Sequence, residues 1–349
     1  MPLNTTISPV SLRLKTDLQE KVDQKTKPLG SLGQLETLAV NIGLIQDSLS
    51  PILSKPTILI FAGDHGIAEA GVSAYPQAVT GQMVGNFLAG GAAINIFASQ
   101  HELALSIVDA GVNADLAAHP NLINRKIAKG TANFLHHPAM SKDDCESAIQ
   151  AGMALVNQQH VNGCNCIGFG EMGIANTSSA ALLVHCLTSL PLEQCVGRGT
   201  GLDDKQLQHK LKVLQQALDF HGHLNAVDDV LAVFGGYEIA MMVGAYLKAA
   251  ELGMVIMVDG FIACAALLVA HNINRDLLDY CLFSHVSSER GHQAVLSYLN
   301  AKPLLNLELR LGEGSGIALA YPLIKSAVLF LNEMASFTEA TVDQKITAP

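Results

Sequence analysis

The chain has 349 residues, 49% of them hydrophobic and only 15% charged, with no Trp and a formal net charge of −10. That length can bury a large core, or one large and one small domain, and so apolar a composition fits parallel strands covered by helices better than a solvated β-sandwich. The acidic balance, with no basic cluster against it, excludes a nucleic-acid surface, so any phosphate must be held locally by backbone N–H groups and one or two lysines.

In chain order, Met1-Pro-Leu-Asn-Thr-Thr6 shows no basic segment followed by an apolar core, so no signal peptide is expected and a cytoplasmic location follows. Ser11 to Ile45 reads as helical, with a break at Pro28-Leu-Gly-Ser-Leu-Gly33. Thr57 to Ala62 is a short β-branched apolar run ending at Gly63-Asp64-His65-Gly66. Leu103 to Asp109 is a second such run, ending at Ala110-Gly111. Cys164 to Gly168 is a third, ending at the loop that carries Glu171, and Met254 to Val258 a fourth, ending at Asp259-Gly260. Each reads as a buried strand, then a polar turn, then a helical pattern, which is the signature of repeated βαβ units. Tyr321 to Ala340 is helical again and is followed by a polar tail.

The fold class expected is therefore α/β, a Rossmann-like, mostly parallel sheet flanked by helices, with a small helical subdomain from the chain ends. The division expected is residues 1–45 and 320–349 for the subdomain and 46–319 for the catalytic unit. In such sheets ligands lie outside the carboxyl ends of the strands, so the polar turns should converge on one face.

Two stretches carry no charge, Ala70 to Gln100 and Met172 to Leu192, but polar residues and glycines interrupt both. Neither is the run of ~20 apolar residues that spans a bilayer, and no membrane partner is expected. The seven cysteines are an odd number, mostly in apolar runs. Cys164-Asn-Cys166 lacks a second pair at zinc spacing and reads as core, so no metal and no cofactor are expected.

The most informative segment is Leu311-Gly-Glu-Gly-Ser-Gly-Ile317, which follows a strand-like run, Leu304 to Leu309. It sets Glu313 between glycines that let the backbone approach a ligand, a placement suited to general-base work. Gly168-Phe-Gly-Glu-Met-Gly-Ile174 presents a second carboxylate, Glu171, in the same way. Asp64-His65 at a strand end reads as loop structure supporting the ligand face, and Asp259 and Ser284 as outer-site residues. Asp109 is a weaker case of the same kind.

Taken in order, several segments resemble the nicotinate-nucleotide–dimethylbenzimidazole phosphoribosyltransferase family, which activates the lower ligand of cobalamin. They are Lys27-Pro-Leu-Gly-Ser-Leu-Gly-Gln-Leu-Glu36, Ala62-Gly-Asp-His-Gly66, Gly71-Val-Ser-Ala-Tyr-Pro-Gln77, Gly90-Gly-Ala-Ala-Ile-Asn95, Gly170-Glu-Met-Gly-Ile-Ala-Asn-Thr177, Val196-Gly-Arg-Gly-Thr-Gly-Leu-Asp-Asp204, Val258-Asp-Gly-Phe261, Ser284-His285 and Leu309-Arg-Leu-Gly-Glu-Gly-Ser-Gly316. Together they run from about residue 20 to 330.

The resemblance implies transfer of the phosphoribosyl group of nicotinate mononucleotide to 5,6-dimethylbenzimidazole, with inversion at C1′, giving α-ribazole 5′-phosphate and nicotinate. It implies Glu313 as base and Glu171 beside the sugar. The phosphate and ribose would lie against Gly170, Gly173, Asn176, Thr177, Gly197, Gly199, Thr200, Gly201 and a lysine, Lys210 in preference to Lys205. Arg198 stands among these glycines and is equally placed to pair with Asp203 or Asp204. Ser73, Tyr75, Gln82 and Met83 would line the pocket for the flat base. A homodimer is also implied. Two positions depart from the family pattern: Ala175 stands where Gly is usual and Ser178 where Thr is usual. The extra methyl at 175 is expected to be tolerated through a negative φ. The same chemistry on another acceptor (adenine, another benzimidazole, a phenol) would leave these turns alike, and a non-catalytic nucleotide-binding protein of the same fold is a third reading.

Overall fold

The structure, a computed structural model, describes residues 6–199 and 201–343. Thr200 and residues 344–349 lie outside the described residues, as do residues 1–5. Six strands form one sheet: β1 (Thr57–Gly63), β2 (Ala104–Gly111), β3 (Leu122–Asn124), β4 (Cys166–Met172), β5 (Val255–Val258) and β6 (Cys281–Phe283). Their order is β3-β2-β1-β4-β5-β6 and every pair is parallel. The sheet is thus wholly parallel, and it is a doubly wound α/β sheet of the kind expected.

Burial explains the pattern. All seven residues of β1 and all four of β5 are buried, so these strands need apolar side chains on both faces, and Ile58-Leu-Ile-Phe61 and Val255-Ile-Met-Val258 supply them. The helix Tyr237–Glu251 is buried along nearly its whole length. Phe169 of β4 meets Tyr246 of that helix edge-on, ring centroids 4.8 Å apart. The helix Ser315–Glu333 has the length and apolar content of a membrane span, but Ile317, Tyr321, Ile324, Val328 and Leu331 are buried within the protein.

Several local readings change. Leu304 to Leu309 is not a strand; only Leu305 makes a bridge, to His285, because β6 is short and already ends the sheet. β4 begins at Cys166, so Cys164 precedes it and caps its own turn through an Sγ contact of 3.3 Å to the Cys166 carbonyl. β4 also continues through Glu171, which places that carboxylate at the end of a strand and not on a loop. The last long helix starts at Ser315, ahead of Tyr321. β3 and β6, three residues each, are too short to stand out in the sequence.

The chain ends meet. Lys25 pairs with Ser336 in an antiparallel bridge, Phe337 N–H donates to the Gln24 carbonyl at 2.9 Å, and Lys25 Nζ donates to the Met334 carbonyl at 2.5 Å.

Candidate active site

The strand order reverses between β1 and β4, and the crevice outside their carboxyl ends is where such folds hold ligands. Glu171 stands there, at the end of β4. Glu313 is brought beside it by close packing of its turn on β4. Gly170 has no side chain, and a β-carbon on it would lie 2.6 Å from the Glu313 carbonyl carbon and from the Gly314 nitrogen. A β-carbon on Gly312 would collide with Glu171 Oε1. The two glycines let the turn and the strand touch backbone to backbone.

The turn is held by a third carboxylate. Asp259, following β5, accepts the Gly314 N–H on Oδ2 and the Gly316 N–H on Oδ1, each at 3.0 Å. This satisfies two of the free amides that open the Ser315–Glu333 helix. Gly312, Glu313 and Gly314 have φ of 80°, 63° and 77°. A left-handed Glu costs on the order of 1 kcal/mol, which Asp259 helps offset.

Glu171 and Glu313, buried and close to other acids, hold their protons tightly. Burial pushes Glu171 up to about 8; the Asn176 amide, which donates to its Oε2, opposes this, and Asp259, Glu238 and Glu313 reinforce it. Burial, then the charge of Asp259, raises Glu313 to about 7. The Glu313 carboxylate is buried and makes no hydrogen bond to another described residue; Glu313 itself lines none of the clefts described below, although Leu311 and Gly312 beside it line that of Glu171. His285 lines the same cleft, 2.9 Å from Ser284 Oγ and 3.8 Å from Asp259 Oδ1 through Nδ1.

On the other side of Glu171 the chain turns into the helix Asn176–Thr188, whose N-terminus faces the cleft. Lys210, fully buried on the helix Asp204–His221, donates from Nζ to Thr177 Oγ1 at 2.8 Å. Burial lowers Lys210 to about 8, against the pull of Glu289. A helix start plus a buried ammonium is an anion site built from few charges. Lys205 is exposed, while Arg198 pairs with Asp204 and donates to the Leu202 carbonyl at 2.8 Å. Asp203 instead caps its helix, accepting the Gln206 N–H at 2.8 Å.

Ala175 departs from expectation. Its φ is 76°, left-handed, because the chain must leave β4 and enter the helix in three residues. The methyl group is held in the conformation that glycine adopts freely.

Glu171, Gly173, Asn176, Thr177, Gly199 and Gly312 line one cleft with Asp259, His285, Glu289 and Arg310. Ser73 lies with Gly173, Asn176, Thr177, Gly199 and Lys210 in a smaller adjoining cavity. Gly197, Gly199 and Gly201 border a third cleft, of about 390 Å³, with Arg198, Glu289, Arg290 and Arg310. Tyr75 and Gln82 are exposed and Met83 is half-buried on the helix Val79–Leu88, and none of the three lines these clefts.

Asp64 and His65 are buried beneath the site. Asp64 Oδ2 accepts the Asn113 N–H at 2.7 Å. His65 sits between Glu238, 2.5 Å from Nε2, and Ser179, 3.0 Å from Nδ1. This trio ties β1 to two helices and supports Gly173, whose missing side chain would stand 3.3 Å from Glu238 Oε1. Asp109 is a structural acid, 3.2 Å from Lys126 Nζ. Among the described residues no group of three His, Cys, Asp or Glu is arranged to hold a metal ion.

Sequence reading missed Glu238, Glu289 and Arg310. Glu238 lies inside an apolar helix and Glu289 and Arg310 in irregular segments, so only the tertiary fold shows that Glu289 and Arg310 line the cleft and that Glu238 packs beneath it against His65.

A phosphoribosyltransferase family model matches residues 7–342. A protein of Cupriavidus necator named nicotinate-nucleotide–dimethylbenzimidazole phosphoribosyltransferase is 59% identical over 336 residues, 96% of this chain and 97% of that one. A protein of the same name from Dechloromonas aromatica is 58% identical, over 95% of this chain and 96% of its own. The solved structure of CobT from Thermus thermophilus superposes with a TM-score of 0.92 at 40% identity, covering 95% of this chain and 99% of that one.

Proposed function

The chain belongs to the nicotinate-nucleotide–dimethylbenzimidazole phosphoribosyltransferase family, and from that premise we propose how its own residues carry the transfer. The donor is nicotinate mononucleotide and the acceptor 5,6-dimethylbenzimidazole. The observation that carries the reading is Glu313: a buried carboxylate without a hydrogen-bond partner among the described residues, poised near neutrality, on a turn fixed against the strand of Glu171.

The donor phosphate binds at the start of the Asn176–Thr188 helix, against Thr177, Gly199 and Lys210. Gly170 and Gly173 act by letting backbone come close, and Gly197 and Gly201 shape the adjoining loop. This directs C1′ toward Glu171 and Glu313. One ring nitrogen of the acceptor attacks C1′, and the bond to the pyridinium nitrogen breaks. The bonding pair leaves with nicotinate, whose nitrogen becomes neutral. The proton on the other acceptor nitrogen passes to Glu313, which burial has made basic enough to take it and which solvent near neutrality can regenerate. Glu171, held by Asn176 and protonated near neutrality, lies beside the sugar and orients its hydroxyls for the displacement. Attack opposite the leaving group gives the α product.

Ser73 adjoins the phosphate, so the base-pocket reading rests on Tyr75, Gln82 and Met83 closing over the acceptor when it binds. We also propose the cytoplasm as its location, a homodimer as its assembly, and a division into a helical unit of residues 1–45 and 320–349 and a catalytic unit of 46–319. The meeting of Lys25 with Ser336 supports that division.

Acceptor dependence of nicotinate release tests the reading. Release with 5,6-dimethylbenzimidazole above that with adenine or a phenol supports the assignment. Release with adenine or a phenol alone moves the acceptor, and no release with any acceptor refutes the enzyme.

A further inference from the structure

Glu289 is 9% exposed, and its Oε2 has no hydrogen-bond partner among the described residues. A carboxylate is an acceptor only, and leaving one of its oxygens buried and unmet is costly. Its position is fixed on all sides. Its N–H donates to Ser287 Oγ at 3.2 Å, its carbonyl accepts the His292 N–H at 3.0 Å, and its side chain presses on Gly197, where a β-carbon would collide with Oε2. The Gly199 backbone amide hydrogen-bonds to the carboxylate.

Lys210 is near enough to influence it, but the Lys210 Nζ hydrogen bond goes to Thr177, and no ion pair within 4.0 Å joins Lys210 and Glu289 among the described residues. Glu289 therefore is not simply the partner of that lysine. It lines both the cleft that contains Glu171 and the larger one beside Gly197 to Gly201. Glu289 thus borders the same cleft as Thr177 of the anion site and Glu171. A second anion is repelled there. A group with hydroxyl donors is what an unmet carboxylate accepts, and in a sugar phosphate the carbon skeleton between phosphate and C1′ carries two.

We propose that Glu289 accepts a ribose hydroxyl of the donor and so selects ribonucleotide over deoxynucleotide substrates. The proposal rests on the donor assignment above. It gives the cleft-lining carboxylate a donor, and it adds to the site a specificity residue separate from the chemistry of Glu313.

Calorimetric binding of nicotinate mononucleotide and its 2′-deoxy and 3′-deoxy analogues, without acceptor, tests this on the wild type, Glu289→Gln and Glu289→Ala. A hydrogen bond to a charged acceptor predicts that wild type binds one deoxy analogue about 10- to 100-fold more weakly than the ribonucleotide. Glu289→Ala should lose about the same factor on the ribonucleotide and bind that analogue as wild type does, and Glu289→Gln, still an acceptor, should fall between. Binding of inorganic phosphate, measured well below the pH at which Lys210 titrates so that its charge is kept, should not weaken in either variant, and their melting temperatures should not fall. Wild type that binds all three donors alike overturns the proposal, as does Glu289→Ala that keeps the wild-type discrimination or a parallel loss of phosphate binding. Donor binding without turnover on any acceptor would refute the transferase and leave this comparison readable; no donor binding at all overturns both.

Discussion

A β-carbon on Gly170 would stand 2.6 Å from the carbonyl carbon of Glu313, closer than any side chain tolerates against backbone. One glycine in β4 therefore sets the distance between the two carboxylates proposed for catalysis, since Glu171 is the next residue along the strand. Gly170→Ala is expected to push the Glu313 turn outward. Because misplacing a catalytic group by ~1 Å costs on the order of 100-fold, kcat should fall by about that factor while donor binding changes little. Steady-state kinetics with calorimetry of the donor separates the two; unchanged kcat would mean that the turn does not depend on this contact.

Glu313→Gln keeps the shape of the turn and removes the base. Turnover should drop by about 10²- to 10⁴-fold, the usual worth of general-base catalysis, with nucleotide affinity nearly intact. The pH profile carries the sign. The base works deprotonated, so wild-type kcat/KM should rise with pH through about 7, where Glu313 titrates, and the variant should lose that limb. A variant that turns over like wild type would end the assignment.

Lys210 presents a conflict between folding and binding. Burial lowers its pKa to about 8, so at pH 7 the protein keeps a charged ammonium inside for the sake of the anion it will meet. A lysine with a depressed folded-state pKa costs stability below that value, and the cost disappears above its unfolded value of 10.5. Lys210→Met is thus expected to melt at or above wild type at pH 7 while weakening donor binding about 10-fold or more. Wild-type donor affinity should also fade as pH rises through about 8. Lower stability together with unchanged affinity would make Lys210 a structural residue.

Ala175, at φ 76°, carries a left-handed strain of about 1–2 kcal/mol, and glycine loses about 0.5–1 kcal/mol more chain entropy on folding. Ala175→Gly should therefore stabilise by about 0.5 kcal/mol. Denaturant unfolding of the two proteins checks the sign, and clear destabilisation would place the benefit of the methyl in packing.

The large features are legible because they follow from patterns that repeat. Four of the six strands show as apolar runs ending in polar turns, and the rule that ligands gather at strand carboxyl ends puts Glu171 and Asp259 on one face from sequence alone. The failures have particular causes. Leu304 to Leu309 has the look of a strand, but β6 ends the sheet and leaves it a single bridge at Leu305. Nothing local tells whether residue 175 must turn left-handed; that follows from the three residues available between β4 and its helix. Glu238 and Glu289 are invisible in the sequence because their roles come from what packs against them, Gly173 and Gly197, across more than sixty positions of sequence in each case.

The central claim is an inverting transfer from nicotinate mononucleotide to 5,6-dimethylbenzimidazole. The most direct measurement combines the purified protein with both compounds and reads the product by mass and by anomer-sensitive NMR of the C1′ proton. The account predicts α-ribazole 5′-phosphate with one nicotinate released per product. A β-configured product, or nicotinate released by hydrolysis with no ribazole formed, would contradict it.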